Sequence, residues 1–295
     1  MWITFEIIIW FYCIAVAAFL FEEFRSKKRK WLIVLLLSLS ILIIVYGSLI
    51  EPRILTIDEQ SIVVSQDQGI ELKAVVVGDL HLGPYKKSGW AKKVVERVNL
   101  LDPDIVFLVG DYISNSKEDV KYFDSLGDLK APLGIYAVTG NHEYHSHASV
   151  EVIAKLGSLD IKILENENEA VDVSGGKIMI AGISDIWFEG DLYKALEGLE
   201  KSDNVILLSH NPDAVLATVT KKADLVVSGH THGGQIRLPF LGPVPRIPDA
   251  LGQEYDKGLF VFKGIFLYIT NGVGEIGTRV RFFNPPQVSV LNVSF

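Results

Sequence analysis

Seven side chains of the kinds that bind divalent cations each follow closely on a short apolar run. Val75-Val76-Val77 leads into Gly78-Asp79-Leu80-His81, and Ile105–Val109 into Gly110-Asp111. Ile135–Thr139 precedes Gly140-Asn141-His142-Glu143, Val205–Ser209 precedes His210, and Leu225–Ser228 precedes Gly229-His230-Thr231-His232. Carboxylate, imidazole and amide oxygen together make a borderline-hard donor set. It suits Mn, Fe or Zn better than calcium. Any one of these residues alone reads as a cap or a surface group, but five such strand ends in one chain point to a shared metal site.

The elements that must position these residues follow from periodicity. Ser61–Ser65, Ile70–Val77, Ile105–Val109, Gly134–Val138, Lys177–Ile183, Asn204–Leu208 and Leu225–Val227 have the composition of short, mostly buried strands. Ser88–Leu101, Glu118–Leu129, Ser149–Leu156, Leu192–Leu199 and Pro212–Thr218 read as the helices between them. Leu259–Phe262, Ile265–Thr270 and Val288–Val293 close the chain as strands. Alternating strands and helices predict an α/β fold with helices on the sheet faces. In an open α/β sheet, ligands bind beyond the carboxyl ends of the strands, where these residues fall. The glycine before most of them lets the backbone turn sharply and approach an ion.

In this order and spacing the residues resemble the calcineurin-like metallophosphoesterases over about residues 72–235. The resemblance implies a four-layer α/β/β/α sandwich and two divalent metal ions. It implies that Asp79, His81 and His232 hold one ion, that Asn141, His210 and His230 hold the other, and that Asp111 bridges them. A pair of ions can acidify a bridging water and clamp phosphoryl oxygens, so the expected reaction is attack of a bridging hydroxide on a phosphodiester or pyrophosphate. No side-chain nucleophile is required. His142, the imidazole left off the metals, is assigned to stabilising the transition state or protonating the leaving oxygen. Gly229–Gln235 with the proline-rich stretch after it, and Asn271–Thr278 leading to Arg279, Arg281 and Phe282–Pro286, look like a membrane-associated bacterial branch. That branch includes proteins similar to UDP-2,3-diacylglucosamine pyrophosphatases. Arg279 and Arg281 are candidates for gripping a phosphate or uronate, because guanidinium is a bidentate oxyanion partner.

The first fifty residues differ in kind. Ile3–Phe21 and Trp31–Ile50 are each long and apolar enough to cross a hydrocarbon core of about 30 Å. No Lys or Arg precedes Arg25, so the basic n-region of a signal peptide is missing. The expected organisation is a two-helix hairpin over 1–50 with a basic loop at 25–30, then one phosphoesterase domain over 51–295. By the positive-inside rule the loop is cytoplasmic, which places the domain on the outer face of the cell membrane. Beyond residue 50 the chain has 23 basic against 33 acidic residues, a net charge of −10. Such a domain is a poor non-specific nucleic-acid binder. The expected substrate is a phosphoester, envelope or lipid-linked.

The rival readings are a lipid A pathway pyrophosphatase, a protein or monoester phosphatase, and a non-catalytic metal-binding scaffold. The presence of all seven ligand types disfavours the last. Leu238–Leu251, long and rich in proline, reads as a packing loop or one that dips among lipid headgroups. His145 and His147 read as a solvent-exposed turn. The single Cys13 excludes an intrachain disulfide and a cysteine metal site. Gly272-Val273-Gly274-Glu275-Ile276-Gly277 spells a dinucleotide fingerprint, but the extended, proline-broken segment after it offers no helix amino terminus for a pyrophosphate.

Overall fold

The structure, a computed structural model, describes residues 2–26, 30–65 and 69–295. Lys27, Lys28 and Arg29 of the basic loop lie outside the described residues. Helices α1 (Trp2–Arg25) and α2 (Trp31–Val45) pack side by side, bridged by Tyr12 Oη and Ser40 Oγ at 2.7 Å. Their apolar side chains are largely exposed, Trp10 at 62% and Leu32 at 69%. That much apolar surface on a helix pair is what lipid, not water, would cover. By length and composition both are able to span a membrane, over Glu6–Arg25 and Trp31–Arg53. A π-helical turn (Tyr46–Ile50) and a 3-10 turn (Glu51–Arg53) carry α2 into the remaining chain, with Pro52 at the break.

The elements after the hairpin are β1 (Thr56–Val63), β2 (Glu71–Val77), α3 (Ser88–Asn99), β3 (Ile105–Val109), β4 (Ile135–Val138), α4 (Asn141–His145), α5 (Ser149–Gly157) and β5 (Lys162–Ile163). They continue as β6 (Glu167–Val173), β7 (Gly176–Gly182), α6 (Leu192–Ala195), β8 (Val205–Leu208) and β9 (Leu225–Ser228). Last come the short β10 (Arg237–Leu238) and β11 (Gly242–Pro243), then β12 (Gly258–Phe262), β13 (Ile265–Ile269) and β14 (Gln287–Ser294). Two six-stranded sheets result, in the orders β1-β14-β2-β3-β4-β5 and β12-β13-β9-β8-β7-β6. Strands β2 to β5 run parallel, as do β7, β8, β9 and β13.

Alternation along the strands builds the layers. Val76, Phe107 and Val138 from the first sheet meet Ile180, Leu208 and Val227 from the second in one core. The intervening residues face outwards: Val75, Val106 and Leu108 pack with Val94, Val98 and Leu156 of α3 and α5. On the far side Val205, Leu207 and Val226 pack with Leu196 and Val215. This is the expected α/β/β/α sandwich, its parallel strands buried on both faces.

Several local expectations need correction. Glu118–Leu129 is not an α-helix but two 3-10 turns, Lys117–Tyr122 and Asp124–Asp128. Phe123, Leu126 and Leu129 are buried at a spacing of three, the period of a 3-10 turn. Leu192–Leu199 keeps only one helical turn before Gly198 adopts φ +74°, and Pro212–Thr218 becomes a 3-10 turn over Pro212–Leu216. Strand β1 begins at Thr56 rather than Ser61, and β6 was not foreseen. Both are edge strands with polar residues, and Val171 alone is buried in β6.

Candidate metal centre

Five strand ends from both sheets converge on one site. Strands β2, β3 and β4 deliver Asp79 with His81, Asp111, and Asn141; β8 and β9 deliver His210, and His230 with His232. All seven residues are buried. The loops are laced together, Asp79 N donating to Gly110 O and His81 N to Asp111 O, both at 3.0 Å. Gly110 has φ +82°, and a Cβ there would lie 2.7 Å from Gly140 N; a Cβ on Gly140 would lie 2.4 Å from Asp111 Oδ1. Glycine is what permits the close approach. Asp79, His81, Asp111, His230 and His232 all have positive φ, between 42° and 72°. Such backbone costs about 1–3 kcal/mol per residue and persists where the surroundings impose it, as at functional sites.

The donor atoms form two groups with Asp111 between. On one side His81 Nε2 faces His232 Nε2 at 3.0 Å, and His232 Nε2 lies 3.5 Å from Asp79 Oδ1. On the other, Asn141 Oδ1 lies 3.1 Å from His210 Nε2 and 2.9 Å from His230 Nδ1. Asp111 Oδ2 is 3.5 Å from His81 Nε2 and 3.3 Å from His210 Nε2. Ligand atoms of Asp79, His81, Asp111 and His232 lie within 4.8 Å of one another.

Hydrogen bonding behind the rings sets their tautomers. His81 Nδ1 pairs with Ile113 O at 3.2 Å and His210 Nδ1 with Val109 O at 2.8 Å. A proton on each Nδ1 leaves the Nε2 lone pair turned inward. The His81 and His232 Nε2 atoms thus crowd within 3.0 Å of each other, and Asp79 Oδ2 is enclosed with no hydrogen-bond partner. A cation resolves that frustration, so the residues present fit divalent metal.

Charge supports this reading. Burial, with His142 nearby, pulls His81 down to about 3, and burial with His210 does the same to His230. His232 falls well below the usual imidazole value through burial and the neighbouring His81. These rings are neutral at pH 7, as ligation requires. Burial alone would raise Asp111, but His210 and His142 outweigh it and hold the carboxyl low. Burial opposes charge on His210, yet Asp111 and Asp79 raise it well above the usual value.

Glu143 was not singled out from sequence. Its buried carboxylate accepts the amides of Asp111, Tyr112 and Gly140 at 3.0, 2.9 and 2.8 Å, binding the second and third loops together. His142 donates its amide to Asp111 Oδ1 at 2.9 Å, its Nδ1 meets Ser114 O at 2.7 Å, and its ring stands edge-on to His81 at 4.6 Å. Trp187, also unforeseen, packs edge-on against His230 at 4.6 Å. Asp249 of the proline-rich loop is buried 3.5 Å from His230 Nε2. A pocket of about 390 Å³ opens over the centre, walled by Trp187, Ile247, Ile276 and Thr278, with Arg246 in its lining.

Arg281 is a correction. It is wholly buried, and its guanidinium donates to the carbonyls of Asn271, Gly272, Gly274 and Asn284. It braces the 271–284 segment and does not reach the pocket. Arg279 stands over the Tyr85 ring at 5.5 Å, in the lining of other cavities. His145 and His147 are exposed, as expected.

The family is shown by comparison with known sequences. Residues 72–234 match the family model described as calcineurin-like phosphoesterase. A metallophosphoesterase of Campylobacter jejuni is 33% identical over 91% of this chain and 72% of its own length. A transmembrane protein with metallophosphoesterase domain from Bos taurus is 33% identical over 75% of this chain, which spans about half (52%) of that relative. A UDP-2,3-diacylglucosamine pyrophosphatase of Chlamydia muridarum is 28% identical over 75% of this chain and 83% of its own length. With the matched segment running from β2 through the His230–His232 turn, the chain belongs to the calcineurin-like phosphoesterase family.

Proposed function

We propose that this chain is a two-metal phosphoesterase that hydrolyses a phosphodiester or pyrophosphate bond in a lipid-linked or envelope substrate. The observation that carries the reading is the pair of inward-facing donor groups on either side of Asp111. Asp79, His81 and His232 would hold one divalent ion, Asn141, His210 and His230 the other, with Asp111 shared. When bound, such ions supply Lewis acidity toward the phosphoryl group and acidify water. His142 Nδ1 donates to Ser114 O, so Nε2 is the nitrogen that would take up a second proton and pass it to the leaving oxygen. Trp187 and Ile276 give the pocket an apolar wall, and Arg246 in its lining would offer a cation to an anionic part of the substrate. Residues 1–50 would anchor the 51–295 domain in the cell membrane, with the domain on the outer face.

A lipid-linked substrate is favoured by position. Thr278 lines both the metal pocket and a cleft between the hairpin helices. Phe240 and Phe283, both exposed, share a depression next to the hairpin exit. The Chlamydia relative favours a second reading, cleavage of a nucleotide-linked acyl glucosamine; the outer-face orientation counts against it. The test is hydrolysis of bis-p-nitrophenyl phosphate and p-nitrophenyl phosphate by the full chain in detergent, metal-stripped and reloaded with Mn, Fe, Zn or Mg. Diester cleavage that returns with metal and is absent in Asp111→Asn is the expected result. Folded protein inactive with every metal on both esters would overturn the proposal.

A further inference from the structure

A second pocket, of about 390 Å³, lies where the hairpin meets the domain and shares no lining residue with the metal pocket. Its walls come from the hairpin exit at Arg53, the turn carrying Tyr85 and Lys87, the start of α3 with Trp90 and Lys93, and Arg279. Within a domain of net charge −10 it gathers five cations, Arg53, Lys86, Lys87, Lys93 and Arg279, against one carboxylate, Glu275. Lys86 and Glu275 are both buried and neutralise each other at 3.3 Å. Among the described residues, no carboxylate lies within 4.0 Å of the other four cations. Like charges concentrated in this way repel one another unless an anion sits among them.

Location narrows the anion. The second apolar span ends at Arg53, so the pocket sits at the level where α2 would leave the hydrocarbon. Next to it, sharing Arg279, is the mostly apolar cleft between α1 and α2, lined by Trp10, Cys13, Ile44 and Leu49, with the Glu6 carboxylate at the end that meets Tyr85. A cationic pocket joined to an apolar cleft at the membrane boundary has the polarity of an amphiphile. Trp90, with Lys93 5.1 Å from its ring centre, adds an aromatic floor of the kind found at headgroup level.

We propose that this pocket binds the phosphate of an anionic phospholipid headgroup, with the start of an acyl chain in the hairpin cleft. The inference rests on the reading that the hairpin spans the membrane. Basic side chains at a bilayer surface attract anionic lipid, and their clustering makes a specific headgroup site. The lipid would fix the domain's orientation over the bilayer, and the metal pocket with it.

The test is native mass spectrometry of the full chain in neutral detergent, titrated with dihexanoyl phosphatidylglycerol, dihexanoyl phosphatidylcholine or inorganic phosphate. Phosphatidylglycerol is expected to bind at least ten-fold more tightly than phosphatidylcholine. Lys87→Gln/Lys93→Gln is expected to lose that preference, Lys87→Gln alone to weaken it several-fold, and Lys92→Gln to leave it intact. Equal binding of the two lipids, or an undiminished preference in the double variant, overturns the proposal. Displacement of the lipid by equimolar inorganic phosphate also overturns it, since the site would then take free phosphate. Alkaline carbonate washing of membranes separates the two failures. A released chain refutes the spanning hairpin, and this proposal with it, whereas a retained chain without lipid preference refutes the headgroup site alone.

Discussion

Glu51, at the foot of the hairpin, accepts the backbone amide of Asn284 at 2.5 Å, and the Asn284 side chain donates to the carbonyl of His232 at 2.7 Å. Two hydrogen bonds therefore separate the end of the second apolar span from a candidate metal ligand. Glu51 is buried, and its other oxygen accepts Phe283 N at 3.0 Å. Glu51→Ala leaves two amides without acceptors, a loss of about 1–3 kcal/mol for each that stays buried. The full chain in detergent is expected to melt several degrees lower and to retain less metal after dialysis. Wild-type melting and metal content in this variant would mean that the hairpin and the centre are mechanically independent.

His142 touches the centre through its amide and its ring edge, while its imidazole nitrogens are not among the facing donor atoms. His142→Ala is expected to keep full metal occupancy and to lower kcat about 10²–10⁴-fold, the usual worth of a general acid. Metal analysis alongside turnover decides the matter. Loss of metal together with activity would assign the ring to holding the His81 side of the site.

Arg281 and Arg246 are predicted to behave oppositely. Arg281 is enclosed, braces four carbonyls and lies 3.7 Å from buried Glu275. Arg281→Ala strands those groups, a loss of about 3–5 kcal/mol by comparison with other broken buried ion pairs. It should appear as poor expression or a much lower melting temperature. Arg246 is exposed at the pocket, so Arg246→Ala should melt as the wild type does and raise KM. A stable Arg281→Ala enzyme with a raised KM would restore Arg281 to substrate binding.

What sequence disclosed and what it hid divide along physical lines. The residues that meet at the centre were legible because each follows a short apolar run, and a parallel sheet sends all such ends to one edge. Asp249, Trp187 and Arg246 were not, because they arrive on irregular loops where no period ties a residue to a place. Arg281 was misplaced because an arginine carries no mark of burial until the carbonyls that surround it are known. The 118–129 segment misled because a spacing of three fits both an α-helix and a 3-10 turn, and β6 was hidden by the polar residues that an edge strand tolerates.

The buried pair of Lys86 and Glu275 gives a pH signature. Burial pulls Lys86 down to about 8, although Glu275 pulls the other way. An unfolded lysine keeps its proton to about 10.4. Between pH 8 and that value the unfolded chain binds more protons than the folded one, so stability gains with rising pH. Below pH 8 both states are charged and the full cost of burying the ammonium remains. Lys86→Met cannot titrate, so the wild type should gain on the variant across this window. Each pKa unit corresponds to about 1.4 kcal/mol, which amounts to several degrees in a melting experiment between pH 7.5 and 10. A difference that stays flat would show that the charge is not penalised by burial. A difference that moves toward the variant would show that Glu275 holds Lys86 charged, and that the pair stabilises the junction between hairpin and domain as an ion pair.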